Sequence, residues 1–216
     1  MSDLHGCYNE FMLMLNQVNF SKNDTLYILG DIFDRGPNPI GILEYIMNSN
    51  NIHLIRGNHE EMFAEYFVHD NLNIWLCNGG SSTYKQLKEK GLEYEKKVYN
   101  YIKQLPYIKV IDNFILVHAG LHFPDNYNNL SLKDFLNQDA ETCLWSRDNI
   151  GFEKQYKNYT IICGHTPVQT ITNNYSEAKI LKKNGTIYID CGCCFKDNVN
   201  AALSCLRLDD LAEFYI

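Results

Sequence analysis

Thr25-Leu26-Tyr27-Ile28-Leu29 is an apolar, β-favouring run that stops abruptly at Gly30-Asp31-Ile32-Phe33-Asp34-Arg35-Gly36. An apolar run of this kind predicts a strand buried on both faces, as in largely parallel sheets covered by helices. The carboxyl end of such a strand is where open α/β sheets meet their ligands. Asp31 therefore falls at a ligand-facing edge, and Asp34 and Arg35 come three and four residues later. The flanking glycines let backbone approach closely or take positive φ. Alone, Asp-Arg-Gly is equally a salt-bridged turn. The recurrence of similar chemistry at other strand ends favours a site.

Four more stretches repeat the arrangement. Asp3 and His5 stand two apart near the amino end, a spacing that puts both side chains on one face of extended backbone. The short apolar run Ile52-His53-Leu54-Ile55 delivers Arg56-Gly57-Asn58-His59-Glu60. Phe114–Val117 delivers His118-Ala119-Gly120, and Thr160-Ile161-Ile162-Cys163 delivers Gly164-His165-Thr166-Pro167. Helices are expected between the early strands: over residues 8–18, with Phe11, Met14, Leu15 and Val18 on one face, and from Pro39, with Ile40, Leu43, Ile46 and Met47 inward. Strand and helix alternate over the first sixty residues, which predicts an α/β fold with a largely parallel sheet.

From 60 to about 106 the pattern becomes helical, over 60–68, 81–90 and 92–104, around the turn Cys77-Asn78-Gly79-Gly80-Ser81. Aromatics crowd this stretch: Tyr66, Phe67, Trp75, Tyr84, Tyr94, Tyr99 and Tyr101. It is either an excursion packed on the sheet edge or a lid that shapes substrate access, and one segment can be both. Beyond Pro106 a hairpin is expected (107–111 and 114–117), with later strands near 178–181, 186–190, 203–208 and 213–216. No repeat or linker interrupts the chain, so residues 1–216 read as a single domain.

Composition narrows the function classes. A net charge of −7 argues against a protein that coats nucleic acid, which needs a basic footprint. No apolar run reaches membrane-spanning length and nothing reads as a signal peptide, so a cytoplasmic location is expected. The eight cysteines are then expected as thiols. The cluster Cys191-Gly192-Cys193-Cys194 lacks a second pair at zinc-finger spacing. Oligomeric state is not addressed by the sequence.

Asp3, His5, Asp31, Asn58, His118 and His165 make a mixed oxygen and nitrogen donor set. Such a set suits Mn²⁺, Fe²⁺ or Zn²⁺ rather than Ca²⁺, which prefers oxygen alone. Six ligands are too many for one small ion that must also take substrate. They suffice for two ions if one carboxylate bridges, and Asp31 is the natural bridge. A two-metal site clamps in-line attack at phosphorus and acidifies a bound water.

With these residues in place, the ordered motifs resemble those of the phosphoprotein phosphatase family of metallophosphoesterases. They are Ser2-Asp3-Leu4-His5-Gly6, Gly30-Asp31-Ile32-Phe33-Asp34-Arg35-Gly36, Arg56-Gly57-Asn58-His59-Glu60, His118-Ala119-Gly120 and Gly164-His165-Thr166. The likeness is strongest to the bacterial and bacteriophage branch, which includes lambda phosphatase and the symmetrical diadenosine tetraphosphate hydrolases. It runs from residue 2 to about 167, and the stretches around Asp190-Cys191-Gly192 and Leu206-Arg207-Leu208 are similar too. Pro167 stands where the nuclease branch of the superfamily carries a second His, which favours the phosphatase branch.

The resemblance implies a four-layer α-β-β-α sandwich of two mixed sheets. It implies that Asp3, His5 and Asp31 hold one metal and that Asp31, Asn58, His118 and His165 hold the other, with Mn²⁺ the favoured ion. It implies that His59 protonates the leaving alkoxide, oriented by Asp34, and that Arg35, Arg56 and Arg147 grip phosphoryl oxygens. The expected substrate is a phosphomonoester, favoured as phosphoserine or phosphothreonine on protein. The rival is a dinucleoside polyphosphate; a phosphopeptide-binding pseudoenzyme is disfavoured by the complete ligand set. The family carries a full strand before Asp-x-His, whereas only Met1 and Ser2 stand ahead of Asp3 here, leaving the support of Asp3 and His5 to be found.

Overall fold

The computed structural model describes residues 1–195 and 200–216. Tyr8–Gln17 forms α1, which buries Phe11, Met14 and Leu15 at i, i+3, i+4 spacing. Leu26–Ile28 (β1) and Ile52–Leu54 (β2) pair in parallel on either side of Pro39–Met47 (α2). The start of α2 is fixed by Pro39 and by Asn38, whose side-chain oxygen accepts the Gly41 N–H at 2.9 Å.

Four helices come next: Asn58–His69 (α3), Leu72–Cys77 (α4), Ser81–Lys90 (α5) and Leu92–Ile102 (α6). Helix α3 begins two residues earlier than the sequence pattern suggests, because Glu60 at its third position accepts the Gly57 N–H at 2.9 Å and caps the new start. Helix α4 is an unexpected element. It places the Trp75 indole, fully buried, against Phe63 and Tyr66.

The second half is built on one mixed sheet. Ile108–Ile111 (β3), Phe114–Val117 (β4), Thr160–Cys163 (β5), Leu181–Lys183 (β6) and Thr186–Tyr188 (β7) lie in the order β3-β4-β5-β7-β6. The three central strands run parallel and the two edges are antiparallel. Strand β6 begins at Leu181, where its expected span ends. Asn184 and Gly185, at φ +41° and +82°, make the two-residue turn that pairs Lys183 with Thr186. Short helices at Leu132–Phe135 (α7), Ala140–Trp145 (α8) and Val168–Thr172 (α9) link these strands, and Ser204–Leu206 (β8) pairs with Glu213–Tyr215 (β9).

One sheet of the expected sandwich is thus continuous, while the other appears as two ribbons, β1-β2 and β8-β9. A cavity of about 480 Å³ is lined by both ribbons, through Leu26, Tyr27, Cys205, Leu206 and Phe214. Met1 lies alongside β1 and bonds to it. Its amino group donates to the Tyr27 carbonyl at 3.1 Å, its carbonyl accepts from Leu29 at 3.0 Å, and Asp3 N–H donates to Gly30 at 3.2 Å. These bonds supply the support for Asp3, and His5 N–H adds a 2.8 Å bond to the Asp31 carbonyl.

The ends of β1 and β2 meet closely. Gly30 has φ +85°, and a Cβ there would lie 2.5 Å from the Gly57 Cα and 2.6 Å from its nitrogen. Gly91 shares that φ of +85° but faces open space. Gly91→Ala should cost about 1–3 kcal/mol, because φ +85° with ψ +169° is a region essentially confined to glycine, and Gly30→Ala, which adds the overlap with Gly57, more than about 4 kcal/mol. Urea denaturation of both variants measures the difference; equal losses would mean that the strand ends are not tightly packed.

Candidate metal centre and phosphate site

The ends of β1, β2, β4 and β5, with the amino-terminal segment, bring the six ligand candidates to one buried locus. Asp31 sits at its centre, 2 % exposed. Its Oδ1 accepts the His59 N–H at 3.0 Å, which fixes the carboxylate plane. Its Oδ2 lies 3.6 Å from His5 Nε2 on one side and 3.4 Å from His118 Nε2 on the other. One oxygen is held by the protein and the other stands between two imidazoles, the position of a bridging ligand.

The imidazoles of His5 and His118 are each aimed by a backbone carbonyl. His5 Nδ1 donates to Phe33 O at 2.8 Å, leaving Nε2 toward Asp31 and, at 4.0 Å, Asp3 Oδ1. The other Asp3 oxygen accepts the His165 N–H at 3.0 Å and the Ser2 hydroxyl. His118 Nδ1 donates to Leu29 O at 2.7 Å, so its Nε2 faces Asn58 Oδ1 at 2.8 Å and His165 Nδ1 at 3.2 Å. His165 Nδ1 and Asn58 Oδ1 are 3.0 Å apart. Backbone partners on the far nitrogens of metal-binding histidines set tautomer and ring angle in this way.

The donor chemistry fits divalent cations. Asn58 Oδ1, His118 Nε2 and His165 Nδ1 turn toward one another with too few protons to satisfy all three, and buried His165 Nε2 has no partner. Burial lowers the pKa of His5, His118 and His165, which keeps their lone pairs available. Burial, with the nearby charges of Asp3 and Glu60, pushes Asp31 well above the usual carboxylate range. A divalent ion at each set would compensate those buried carboxylates. His59 borders the first set, with Nε2 3.9 Å from Asp31 Oδ2.

Two acidic residues were not singled out by the sequence motifs. Glu60, fully buried, accepts four backbone N–H groups: Asp31 and Gly57 on Oε2 at 2.8 and 2.9 Å, Ile32 and Phe33 on Oε1 at 2.9 and 3.3 Å. Its place three residues after a glycine helix cap was the available signal. Asp190, just beyond β7 and 4 % exposed, accepts the Gly192 N–H at 2.8 Å. Burial and the charge of Asp3 push its pKa up, so it sits electrostatically close to the ligands. The end of an expected strand pointed to it.

Asp34 and His59 form a second, dry pair beside the ligands. His59 Nδ1 lies 2.6 Å from Asp34 Oδ2, with the two side chains 1 % and 0 % exposed. Asp34 also takes hydrogen bonds from Trp75 Nε1 at 2.8 Å and Thr83 Oγ1 at 2.6 Å. Burial raises the Asp34 pKa to about 7, and those two bonds and the Arg35 charge oppose the rise. Burial, then the Arg35 charge, lowers that of His59.

The arginines divide. Arg35 reaches over the site, with one terminal nitrogen 3.0 Å from His59 Nε2 and the other against His5 Nε2, and Phe195 lies under its guanidinium at 5.4 Å. Arg147, exposed, donates from Nε to Thr166 Oγ1 at 3.1 Å, beside His165. Arg56 is not brought to the cluster. It is 7 % exposed and donates to Ile102 O at 2.7 and 3.2 Å, to Glu61 at 2.7 Å and to the Tyr107 hydroxyl at 2.9 Å. The physical reason is the end of α6, where Ile102 offers a carbonyl with no helical partner and a guanidinium fork caps it.

Comparison with known proteins identifies the family. The family model for calcineurin-like phosphoesterases matches residues 1–203. The chain belongs to that family. This phosphoesterase is 30% identical over 204 residues to serine/threonine-protein phosphatase 2 of Salmonella typhimurium, covering 89% of this chain and 85% of that one. It is 31% identical over 132 residues to a symmetrical bis(5'-nucleosyl)-tetraphosphatase of Wigglesworthia glossinidia brevipalpis, covering 56% of this chain and 43% of the relative. Its fold matches a crystal structure of a candidate diadenosine tetraphosphatase with a TM-score of 0.67 at 18% identity, over 100% of this chain and 90% of the other.

If Asp31 Oδ2 is shared, Asp31→Asn weakens both metal sets together. Metal analysis after Mn²⁺ loading and desalting should give about two ions per chain for the phosphoesterase and well under one for the variant. Added Mn²⁺ should raise the melting temperature of the first and barely move the second. Full occupancy in the variant would mean that Asp31 does not bridge.

Proposed function

We propose that this phosphoesterase hydrolyses phosphomonoesters on proteins, with phosphoserine or phosphothreonine as the reacting group and Mn²⁺ as the favoured ion. The observation that carries the reading is the use made of aromatic and basic residues between 60 and 106. Trp75 and Tyr66 are buried, Phe67 stacks on Tyr99 at 4.8 Å, and Trp75 is bonded to Asp34. Lys88 pairs with Glu95 at 3.0 Å, Lys90 with Glu44, and Lys96 with Glu93 at 2.8 Å. The rings pack among themselves and these lysines are neutralised. An open mixed-charge rim of this kind suits a phosphorylated side chain on a peptide. The extensive match to a relative named as a serine/threonine phosphatase supports the same choice.

The chain's own residues then act in defined places. Asp3, His5 and Asp31 would hold one ion, and Asp31, Asn58, His118 and His165 the second. Bound there, divalent ions supply charge neutralisation at phosphorus and acidify the attacking water. Arg35 and Arg147 bind phosphoryl oxygens through guanidinium donors. His59 carries the proton on Nε2 that the leaving alkoxide needs, while Nδ1 stays on Asp34. Arg56 braces α3 against α6, so its effect on activity is indirect.

A dinucleoside polyphosphate is the second reading, and two rings favour it. Phe195 under Arg35, 37 % exposed, and Trp145, edge-on to His165 at 5.9 Å, could each take a base near the metal locus. The metal core treats phosphoryl groups alike, so the surroundings set the preference. kcat/KM for a phosphothreonine peptide and for diadenosine tetraphosphate, at one Mn²⁺ concentration, measures it. The peptide should be preferred by tenfold or more, and a hundredfold preference for the dinucleotide would reverse the assignment.

A further inference from the structure

The helical segment between α3 and β3 reaches into the catalytic end of the molecule at one point. Thr83, in the first turn of α5, and Trp75, on α4, are both fully buried and both contact Asp34. The Thr83 hydroxyl oxygen accepts the Asp34 N–H at 2.8 Å and its proton goes to Asp34 Oδ1 at 2.6 Å. Asp34 can offer both groups to one hydroxyl because its backbone is left-handed, with φ +71°. The Trp75 indole can only donate, and it gives its proton to Oδ2 at 2.8 Å. The oxygen it binds is the one that faces His59 Nδ1.

We propose that Thr83 and Trp75 are positioning residues that fix the tautomer of His59 by holding both Asp34 oxygens as acceptors. Hydrogen bonds to a carboxylate favour its ionised form. With both oxygens so occupied, the proton of the 2.6 Å contact stays on His59 Nδ1, so the second proton of the imidazolium is the one on Nε2, toward the metal locus, and the ring returns to the Nδ1–H tautomer when that proton is given up. Carboxylates that orient a histidine act in this way when they are themselves held. The segment that looks like a lid thus sets the acid as well as the rim. Gly79 adds to the same contact, because its carbonyl accepts the Arg35 N–H at 3.0 Å and holds the Asp34-Arg35 turn from the other side.

This rests on His59 as the acid, so the test carries variants of both residues. His59→Asn, Thr83→Val, Thr83→Ser and the double variant Thr83→Val/His59→Asn are assayed with Mn²⁺ on a phosphothreonine peptide and on 4-nitrophenyl phosphate. The nitrophenolate leaves without a proton, whereas the threonine alkoxide needs one. Thr83→Val should lower kcat on the peptide by about 10–100-fold, a fraction of what loss of the acid itself costs. On the aryl ester the loss should be under about threefold, and Thr83→Ser, which keeps the hydroxyl, should restore peptide turnover. In the His59→Asn background Thr83→Val should change peptide turnover by less than about threefold, because groups acting as a unit are not additive. Equal Thr83→Val losses on both substrates, or a full further loss in the double variant, would overturn the proposal. Equal losses for His59→Asn alone would overturn the acid reading instead.

A measurement without turnover keeps the proposal testable if Thr83→Val fails to fold. The His59 Nδ1 proton should give a downfield NMR resonance in the metal-free protein. Trp75→Phe, which keeps a buried ring and removes one donor, should broaden or shift it strongly. An unchanged resonance in Trp75→Phe would show that the Asp34 contacts do not govern His59.

Discussion

The Glu60 carboxylate is the contact on which the rest of the site depends. It gathers four backbone N–H groups from two chain segments, Asp31-Ile32-Phe33 after β1 and Gly57 at the head of α3. In a dry interior each of those donors, left unpaired, would cost about 1–3 kcal/mol. With the carboxylate in place, the turn bearing Asp31 and the helix start bearing Asn58 and His59 are locked to one another. Burial raises the Glu60 pKa to about 7, a rise that the N–H donors oppose. That balance marks how far the fold goes to keep a carboxylate there.

The same locking sustains an unusual backbone. Asp3, His5, Asp31, Asp34, Arg35 and His165 all have positive φ, between +41° and +71°. For residues with a Cβ such conformations cost about 1–3 kcal/mol each and persist where surrounding bonds over-determine them. Here those bonds are visible, as His5 N–H to Asp31 O, Gly36 N–H to His5 O and Asp31 N–H to Glu60. The left-handed turns aim successive side chains into one small volume, which an ordinary strand end could not do.

Much of this was legible in the sequence because it rests on short-range signals. Apolar runs ending in Asp31, Asn58, His118 and His165 pointed to the ligand set, since a buried strand presents to ligands the residues at its carboxyl end. The features that escaped depend on contacts remote in sequence. Thr83 is 49 residues from Asp34 and Trp75 is 41, and neither has a local pattern that points to a carboxylate. Arg56 sits inside a strong motif yet turns to the helix-end carbonyl of Ile102, 46 residues away. The division of the first sheet into two ribbons was likewise beyond reach, because strand propensity says nothing about which edges meet. The Asn184-Gly185 hairpin turn was readable and gives β6 its register.

The division of roles comes from these placements. In the proposed function the buried ligands and the Asp34–His59 pair would serve any phosphoryl ester, while Arg35, Arg147, Phe195 and Trp145 at the rim would select what reaches them. These roles require the proposed dinuclear centre, bridged by Asp31 Oδ2. Electron paramagnetic resonance of the Mn²⁺-titrated protein tests it most directly. Two ions sharing that oxygen would lie about 3.5–4 Å apart and couple, so the six-line signal of the first equivalent should collapse as the second binds. A signal that instead grows in proportion to two independent ions, or saturates at one, would contradict the bridged centre.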